Sequence, residues 1–228
     1  MNRLQRLTVT VSALVGLTLP ALASGPAGAP GVSEAEAKHE LRQGNERFAT
    51  GHSATHDFAR DRAALVNGQH PFAVILACAD SRVAPEILFD ESLGRLFVIR
   101  VAGNVVDSDV LGSIEYAAEH LHTHYLLVMG HDACGAVSAT LAGGEVPANV
   151  GELAKRIAPA VEIAKREGRD ATGTLDAAVR ENVRLQMAEV PRRSTLLAGL
   201  IEKKAFEIAG AVYHLDSGRV EWLAPAKR

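Results

Sequence analysis

Two cysteines and one histidine stand out because each lies in a short polar cluster that directly follows an apolar run. The first cluster begins at Cys78 and continues as Ala-Asp-Ser-Arg, and the second carries His131 and Cys134 with two residues between them. Thiolate, imidazole and carboxylate are the ligands that Zn²⁺ takes in tetrahedral sites. Two such groups roughly 50 residues apart are a spacing compatible with one zinc site. The pattern predicts a metal site formed by Cys78, His131 and Cys134, with Asp80 as a candidate fourth ligand.

The cysteines also allow two other interpretations. An even cysteine count in an exported chain first suggests a disulfide between Cys78 and Cys134. Alternatively, the two thiols are unrelated core residues. A bound metal would hold both as thiolates and protect them from oxidation. Whether a metal site would be structural or catalytic depends on a fourth position open to water, and so on Asp80.

The elements that would position these donors are indicated by hydrophobic runs. Residues 72–78, 96–101 and 125–130 are almost wholly apolar, as strands buried on both faces of a parallel sheet are. Residues 205–215 and 220–223 flank a turn that contains glycine and read as a terminal hairpin. Two of the three buried strands end at Cys78 and beside His131. Ligands of open α/β sheets gather outside such carboxyl ends.

Helices are predicted between the strands and after them. Ser33 and Glu36 form a capping-box pattern at the start of an N-terminal helix that ends near Gly51. Three further helices are predicted at residues 107–122, 153–167 and 175–189, and a shorter one after Pro191. The predicted fold is therefore α/β, with a mainly parallel sheet of four to five strands flanked by helices.

The N-terminal residues have the pattern of a secretory signal. Arg3 and Arg6 precede an apolar run at residues 7–19, and small residues around Ala23 provide a cleavage site. We expect a signal peptide at residues 1–23, a flexible linker at 24–32 and a catalytic domain at 33–228. The mature protein would then be periplasmic. We expect no membrane segment in the mature form, because no later stretch is long and apolar enough.

Length and composition are those of one globular domain. The chain has 228 residues, of which 47% are hydrophobic and 22% charged. The formal net charge is −3. Such a chain offers no basic surface for nucleic acid or for an anionic membrane, so neither is expected as a partner.

Three segments resemble the signature motifs of the β-class carbonic anhydrases. They are CADSRV at 78–83, VIRVAGNVV at 98–106 and GHDACGAV at 130–137. The resemblance extends over residues 33–223. It implies reversible hydration of CO₂ to bicarbonate and a proton, one Zn²⁺ per subunit, and a homo-oligomer, either a dimer or a tetramer, with its sites near the dimer interface.

The resemblance also implies roles for the residues of the two clusters. Cys78, His131 and Cys134 would bind zinc, with water or hydroxide in the fourth position. Asp80 and Arg82 would form a catalytic dyad in which Arg82 holds the carboxylate off the metal. Asp80 would then accept a hydrogen bond from the bound hydroxide and orient it toward CO₂. If the pair separates, Asp80 could ligate zinc and close the site.

Four further residues match the substrate pocket of the plant-type members. These are Gln69, Phe97, Ala102 and Tyr116. Considered alone, Gln69 would be a loop residue and the others core residues. A small apolar pocket beside one amide donor would suit CO₂, which offers little to hydrogen-bond.

A second subgroup of the family has an inhibitory bicarbonate site that includes a tryptophan three residues before the first zinc cysteine. Ile75 occupies that position here, and Trp222 is far along the chain. Arg100 matches the arginine of that site and Tyr213 its tyrosine. We expect no bicarbonate switch, and we expect Arg100 to serve packing or a salt bridge.

The remaining polar residues near the motifs have simpler interpretations. Gly103 and Asn104 are expected to shape a turn near the site. His120, His122 and His124 surround a helix end, where cationic side chains interact favourably with the helix dipole, and they are assigned no catalytic role.

Two rival functions follow from the same residues. The first is a hydrolytic lyase on the same scaffold that attacks another linear heteroallene such as CS₂. The second is a non-catalytic zinc or redox protein in which four ligands close the site or the cysteines oxidise. The resemblance favours carbonic anhydrase over both, because Gln69, Asp80 and Arg82 have no evident purpose in a purely structural site.

Overall fold

The computed structural model describes residues 32–224. The predicted signal peptide and nearly all of the linker lie outside the described residues. Within residues 32–224, no helix combines the length and the apolar character needed to cross a membrane.

A five-stranded sheet forms the centre of the fold. Its strands are β1 (Ala73–Ala77), β2 (Leu96–Arg100), β3 (Tyr125–His131), β4 (Glu207–Tyr213) and β5 (Val220–Trp222). They are arranged in the order β2-β1-β3-β4-β5, with the first four parallel and β5 antiparallel to β4. The prediction of a mainly parallel sheet is confirmed. The predicted hairpin supplies the one antiparallel pair, so the sheet is mixed.

The apolar strands bury both of their faces, as their sequences predict. Every residue of β1 and β3 is buried. Ile75 and Met129 pack in one core layer, together with Leu41 of the first helix. Val74 and Val128 point to the opposite layer, which the later helices cover. Alternate residues of one strand thus serve two cores, which explains the absence of a polar face.

Helices cover both faces of the sheet. Within residues 32–224 they are α1 (Glu34–Ala49), α2 (Phe58–Ala64), α3 (Pro85–Leu88), α4 (Ser108–His120), α5 (Gly135–Ala142), α6 (Ala148–Lys165), α7 (Ala171–Arg193) and α8 (Thr195–Glu202). The N-terminal helix begins as predicted, because the Ser33 side chain accepts a hydrogen bond from the Glu36 amide at 3.3 Å.

Three helix boundaries differ from the predictions by four residues or more. Helix α6 begins at Ala148, directly after Pro147, rather than at residue 153. Helix α7 begins at Ala171 because Asp170 caps it by accepting a hydrogen bond from the Gly173 amide at 2.8 Å. At its other end α7 includes Pro191 and stops at Ser194, whose side chain caps α8.

Helix α7 packs on strands β3 and β4 at positions where each strand carries a glycine. A Cβ atom on Gly130 would lie 2.8 Å from a methyl group of Val183, and one on Gly210 would lie 2.6 Å from the sulfur of Met187. Both distances are shorter than real Cβ contacts, so a side chain at either position would require the facing side chains of α7 to shift. The two glycines therefore set the height of α7 above the sheet.

The carboxyl ends of β1 and β3 meet at a topological switch point. The chain leaves β1 toward β2 on one side, whereas β3 lies on the other side of β1. Crevices of this kind hold the ligands of open α/β sheets. A short 3₁₀ turn, Ala102–Asn104, follows β2 at the same end of the sheet, so the predicted turn at Gly103 and Asn104 is confirmed.

Candidate metal centre

The three predicted metal ligands converge at the switch point. Cys78 directly follows β1, His131 is the last residue of β3, and Cys134 is the residue before α5. The two sulfur atoms are 4.0 Å apart, and the ligand atoms of all three residues lie within 4.8 Å of one another. All three side chains are buried, with exposures of 4%, 0% and 1%. Residues separated by more than 50 positions in the chain thus form one compact donor set.

The geometry of the cluster fits a tetrahedral metal ion. Zinc–sulfur bonds of about 2.3 Å at a tetrahedral angle place two sulfur atoms about 3.8 Å apart, close to the observed separation. His131 Nδ1 donates a hydrogen bond to the carbonyl oxygen of Asp132 at 2.8 Å, which leaves the lone pair on Nε2. Within residues 32–224, this buried Nε2 atom has no hydrogen-bond partner. Buried polar atoms are rarely left unpaired, so Nε2 is available to a metal.

The surroundings of the two thiols shift their pKa values in opposite directions. A hydrogen bond from the Cys134 thiol lowers the pKa of Cys78 against the opposing effect of burial, and the backbone amides of Gly103 and Asp80 lower it further. The same pairing, together with burial, raises the pKa of Cys134 in the metal-free cluster. The backbone N–H groups of Ala136 and Val137 at the start of α5 oppose this rise. A cation would remove the competition between the two thiols, because a coordinated thiol is deprotonated.

The structure does not support the two other interpretations of the cysteines. Both thiols are free, and their separation of 4.0 Å is about twice the roughly 2.05 Å of a disulfide bond. Their convergence with His131 also shows that they are not unrelated core residues.

Asp80 and Arg82 form an ion pair at the edge of the cluster. The guanidinium donates from Nε to Asp80 Oδ1 at 2.9 Å and from Nη2 to Oδ2 at 2.8 Å. The Arg82 side chain holds the pKa of the Asp80 carboxyl far below its usual range, against the opposing effect of burial. Asp80 Oδ2 lies 3.9 Å from His131 Nε2, so the carboxylate is beside the donor set while both of its oxygens are engaged by arginine.

Arg100 supports the turn that carries the dyad. From the end of β2 it donates hydrogen bonds to the carbonyl oxygens of Cys78, at 3.2 Å, and Asp80, at 2.6 Å. The sequence suggested packing or a salt bridge for this residue. Instead, the guanidinium binds two backbone carbonyl groups and holds the first cluster against the edge strand.

The 3₁₀ turn supplies a further contact to the cluster. The Gly103 amide donates to the Cys78 sulfur at 3.3 Å. Gly103 has a φ of 72°, and a Cβ atom there would lie 2.6 Å from Ile157 Cδ1, so this position requires glycine. Ala102, one of the predicted pocket residues, begins the same turn and is therefore placed beside the cluster.

The other predicted pocket residues lie farther from the metal ligands of their own chain. Phe97 pairs with Val74, four residues before Cys78, which corresponds to about 13 Å along the strand direction. Its ring lies 6.2 Å from that of Tyr116, which is 47% exposed. Gln69 is exposed and precedes β1, whereas Cys78 follows that strand. Within one chain, Ala102 is the one residue of these four that lies in the turn contacting Cys78.

The residues compared with the inhibitory bicarbonate site are spread over the sheet. Ile75 is fully buried in β1. Tyr213 pairs with His131 in the register of β3 and β4. Trp222 lies on β5, where its ring packs against Phe89 and beneath the guanidinium of Arg42.

A charged network that the sequence does not indicate lies behind the segment of His131 and Cys134. His214 lies between Asp132, at 3.0 Å from Nδ1, and Glu221, at 3.1 Å from Nε2. Arg180 in turn makes two 2.8 Å hydrogen bonds to Glu221. Partial burial opposes protonation of His214, but the hydrogen bonds to Glu221 and Asp132 raise its pKa. Residues 82 positions apart gave no local sequence signal for this network.

The histidines around the end of α4 have mainly local contacts. The His120 ring lies 5.0 Å from the ring of Tyr116, one helical turn earlier. His124 Nδ1 lies 3.0 Å from the carbonyl oxygen of Ala205. His122 has a φ of 53° and is exposed in the turn after the helix.

Comparison with protein families and known sequences gives a consistent result. The family model described as carbonic anhydrase matches residues 73–220. Carbonic anhydrase 2 of Mycobacterium tuberculosis is 43% identical over 195 residues, which cover 83% of this chain and 93% of that protein. A carbonic anhydrase of Pseudomonas aeruginosa is 36% identical over 173 residues, covering 72% of this chain and 78% of that protein.

Solved structures show the same fold. The β-carbonic anhydrase of Coccomyxa, determined in complex with acetazolamide, superposes with a TM-score of 0.67 at 28% identity and covers 79% of this chain and 83% of that one. A β-carbonic anhydrase of Aspergillus fumigatus gives a TM-score of 0.69 at 21% identity, with coverages of 85% and 92%. With the convergent Cys/His/Cys cluster, these matches show that the chain belongs to the β-class carbonic anhydrases.

Proposed function

We propose that this protein catalyses the zinc-dependent, reversible hydration of CO₂ to bicarbonate and a proton, with one Zn²⁺ per subunit. The observation that carries the proposal is the buried set of Cys78, His131 and Cys134 beside an aspartate that is engaged by arginine. Three protein ligands leave a fourth tetrahedral position open, which is the arrangement of a catalytic rather than a structural zinc site.

Each residue of the site would have a distinct task. Zinc, when bound, lowers the pKa of a coordinated water to about 7 and so supplies a nucleophile near neutral pH. Cys78, His131 and Cys134 would hold the ion, and the His131 tautomer is already fixed by the Asp132 carbonyl. The apolar side chains packed around both cysteines keep the ligands out of bulk water.

Asp80 and Arg82 would orient the nucleophile. Because Arg82 keeps Asp80 ionised and engages both of its oxygens, the carboxylate is held close to the metal position without being free to ligate. Such a carboxylate can accept a hydrogen bond from the attacking oxygen and fix the direction of its lone pair. In the reverse reaction, the dehydration of bicarbonate, the Asp80 carboxylate would orient this oxygen in the same way.

The substrate pocket is proposed to be completed by a second copy of the chain. Phe97 lies about 13 Å along the strand from the level of Cys78 in its own chain. Its strand β2 is the edge of the sheet, and exposed apolar side chains occur at Phe58, Val66 and Tyr116. If Gln69, Phe97 and Tyr116 line a CO₂ pocket, they would do so for a neighbouring subunit, which supports a homodimer or a dimer of dimers.

We also propose that the protein is exported and acts in the periplasm. The support is the sequence pattern of residues 1–23 alone. Mass spectrometry of protein recovered from a periplasmic fraction would test it. A mature N-terminus near residue 24 is expected, and an uncleaved chain in the cytoplasm would contradict the proposal.

The proposed reaction can be tested by stopped-flow CO₂ hydration with a pH indicator, on protein that lacks residues 1–23, alongside a zinc assay. We expect about one zinc per chain and rapid hydration. Asp80→Asn should keep the metal but lose roughly tenfold or more in kcat/KM, the usual range for a residue supporting a metal site. Asp216→Asn removes an exposed carboxylate in the turn before β5 and is the matched control.

The outcomes separate the rival functions. Bound zinc without hydration between pH 6 and 9 would indicate a closed or structural site. Hydrolysis of CS₂ without hydration of CO₂ would indicate that the protein is a lyase of the same fold that acts on a different substrate. Equal activity of Asp80→Asn and the wild type would show that the pair of Asp80 and Arg82 does not contribute to catalysis.

A further inference from the structure

Two buried amide side chains on α7 reach the 3₁₀ turn that contacts the metal cluster. Asn182 Nδ2 donates to the carbonyl oxygen of Gly103 at 2.8 Å. Gln186, one helical turn later, accepts from the Val106 amide at 2.7 Å. The two side chains are only 1% and 2% exposed. Each connects α7 to a loop about 80 residues earlier in the chain.

The two amides are also bonded to each other. Gln186 Nε2 donates to Asn182 Oδ1 at 3.1 Å, and a weaker contact of 3.4 Å reaches the Arg156 carbonyl oxygen on α6. The bond to Gln186 fixes which atom of the Asn182 amide faces the turn. The nitrogen must point to Gly103, because the oxygen is already engaged as an acceptor.

This network occupies a place where an apolar residue would suffice for packing. Neighbouring residues of α7 on the same side, such as Val179 and Val183, are buried hydrophobic side chains. Burying two amides costs free energy unless their hydrogen bonds are satisfied, and such networks tend to specify one arrangement. The arrangement specified here is the conformation of residues 102–106.

The 3₁₀ turn that Asn182 holds also contacts the metal ligand Cys78. While Asn182 binds the carbonyl group of Gly103, the amide of the same residue donates to Cys78 Sγ at 3.3 Å. Gly103 is thus fixed on both sides in a left-handed conformation. The close seating of α7 over Gly130 and Gly210 brings Asn182 within reach of the turn.

We propose that Asn182 is a positioning residue of the metal centre, which holds Gly103 so that its N–H group bonds to the Cys78 sulfur. Groups that hydrogen-bond to ligands typically change metal affinity or activity by 10- to 100-fold when removed. This inference rests on the proposed function only in that the cluster binds a metal. It does not require that CO₂ be the substrate.

The test compares Zn²⁺ affinity, measured by competition with a chromogenic chelator, with the stability of the metal-free protein in urea. Asn182→Leu keeps approximate volume and removes the donor, and Asn182→Asp keeps an acceptor for Gln186 and removes the donor. Both should bind Zn²⁺ about tenfold or more weakly than the wild type. Both should also change the thiolate-to-cobalt charge-transfer band of the Co²⁺-loaded protein.

Val190→Ala is the matched control, because Val190 is a fully buried residue of α7 in the core layer beneath α8. It should lower the stability of the protein, as large-to-small core changes do. It should leave the affinity for Zn²⁺ and the Co²⁺ spectrum unchanged, which separates positioning from general loosening of the helix.

The inference is overturned if the Asn182 variants bind Zn²⁺ as tightly as the wild type, or no more weakly than Val190→Ala. Should neither variant fold, hydrogen exchange in the wild type decides. A Gly103 amide that remains protected in the metal-loaded protein supports the inference, and one that exchanges like an exposed loop refutes it. Zn²⁺ binding without CO₂ hydration would contradict only the proposed function, whereas a wild type that binds no Zn²⁺ would contradict both.

Discussion

At the scale of single residues, the site depends on groups whose charge is fixed by a close neighbour. Asp80 is kept ionised by Arg82, and the tautomer of His131 is fixed by the Asp132 carbonyl group. Asp132 is itself held by His214, which is shared with Glu221. Of the three hydrogen-bonded residues Asp132, His214 and Glu221, His214 is the one that changes charge near neutral pH.

We expect the stabilising effect of His214 to depend on pH. Because its pKa is raised in the folded protein, its contribution is complete below its ordinary pKa of about 6.5 and is lost as the pH rises through the raised value. His214→Asn should therefore cost about 0.5–1 kcal/mol of unfolding free energy at pH 6 and less at pH 9. Urea unfolding at both pH values measures this difference.

His70→Asn, which changes an exposed histidine in the loop before β1, controls for the loss of an imidazole. A cost of His214→Asn that is constant or grows with pH would show that the ion pairs to Asp132 and Glu221 do not stabilise the fold.

At the scale of elements, the site is assembled by strand ends and by one short turn. Cys78 and His131 are placed by β1 and β3, whose pairing is continuous from Val74 opposite Leu126 to Ala77 opposite Met129. The turn Ala102–Asn104 then reaches the cluster from the side. The strands determine the position of the donors, whereas the turn determines their hydrogen bonding.

Gly103→Ala tests whether the turn determines the hydrogen bonding of the metal ligands. The substitution introduces a side chain at a φ of 72° and within 2.6 Å of Ile157 Cδ1. We expect a loss of about 1–3 kcal/mol of unfolding free energy in urea, from the strained conformation and the contact. Weaker Zn²⁺ binding should accompany it, because the turn would move away from Cys78.

Gly112→Ala is the matched control. Gly112 lies within α4, and nothing lies within 4 Å of the place where its Cβ would be. Alanine there should be neutral or should stabilise the protein by up to about 1 kcal/mol, since it favours the helix. Equal effects of the two substitutions would mean that the turn accepts a side chain.

The elements also show what could be predicted from sequence. Apolar runs located β1, β2 and β3 nearly to the residue, because strands buried on both faces have no polar positions to obscure them. Ser33 located the start of α1. The start of α7 was placed four residues late, because the Asp170 cap precedes a polar first turn that lacks a hydrophobic pattern.

The site itself was predictable as far as its motifs are contiguous. Cys78, His131 and Cys134 occur in two short segments, so spacing and residue type predicted a shared metal site with Asp80 as a candidate ligand, whereas the pairing of Asp80 with Arg82 was implied by the resemblance to the family. Asn182, Gln186 and His214 act over about 80 positions of chain and occur singly. Only the packing of α7 and β4 against β3 reveals them.

At the scale of the whole molecule, the two metal-ligating cysteines lie in a third apolar cluster, distinct from the two core layers of the sheet. Cys78 and Cys134 pack with residues of α6 and α7, while β1 and β3 contribute to both layers of the sheet. An ion bound by all three ligands would therefore connect β1, β3 and the start of α5. Ligands that bind only the folded state stabilise it by mass action.

Removal of the metal should accordingly lower thermal stability. Each tenfold excess of free Zn²⁺ over its Kd adds about 1.4 kcal/mol, so saturation should raise the Tm by several degrees over protein treated with a chelator. Differential scanning calorimetry measures the shift. Cys78→Ser, which removes one ligand, should show a much smaller shift, and an equal shift would place the stabilising ion elsewhere.

The strand order also determines when during folding a metal ion can be captured. Cys78 and His131 are neighbours in space only when β1 is paired with β3, and the chain between them runs through β2 and the crossover helix α4. Contacts that close so long a loop form slowly compared with local helices. His131 and Cys134 alone offer an incoming ion two donors from one short turn. The full three-donor affinity therefore arises only late, and a nascent or partly folded chain competes poorly with other zinc-binding molecules for the ion.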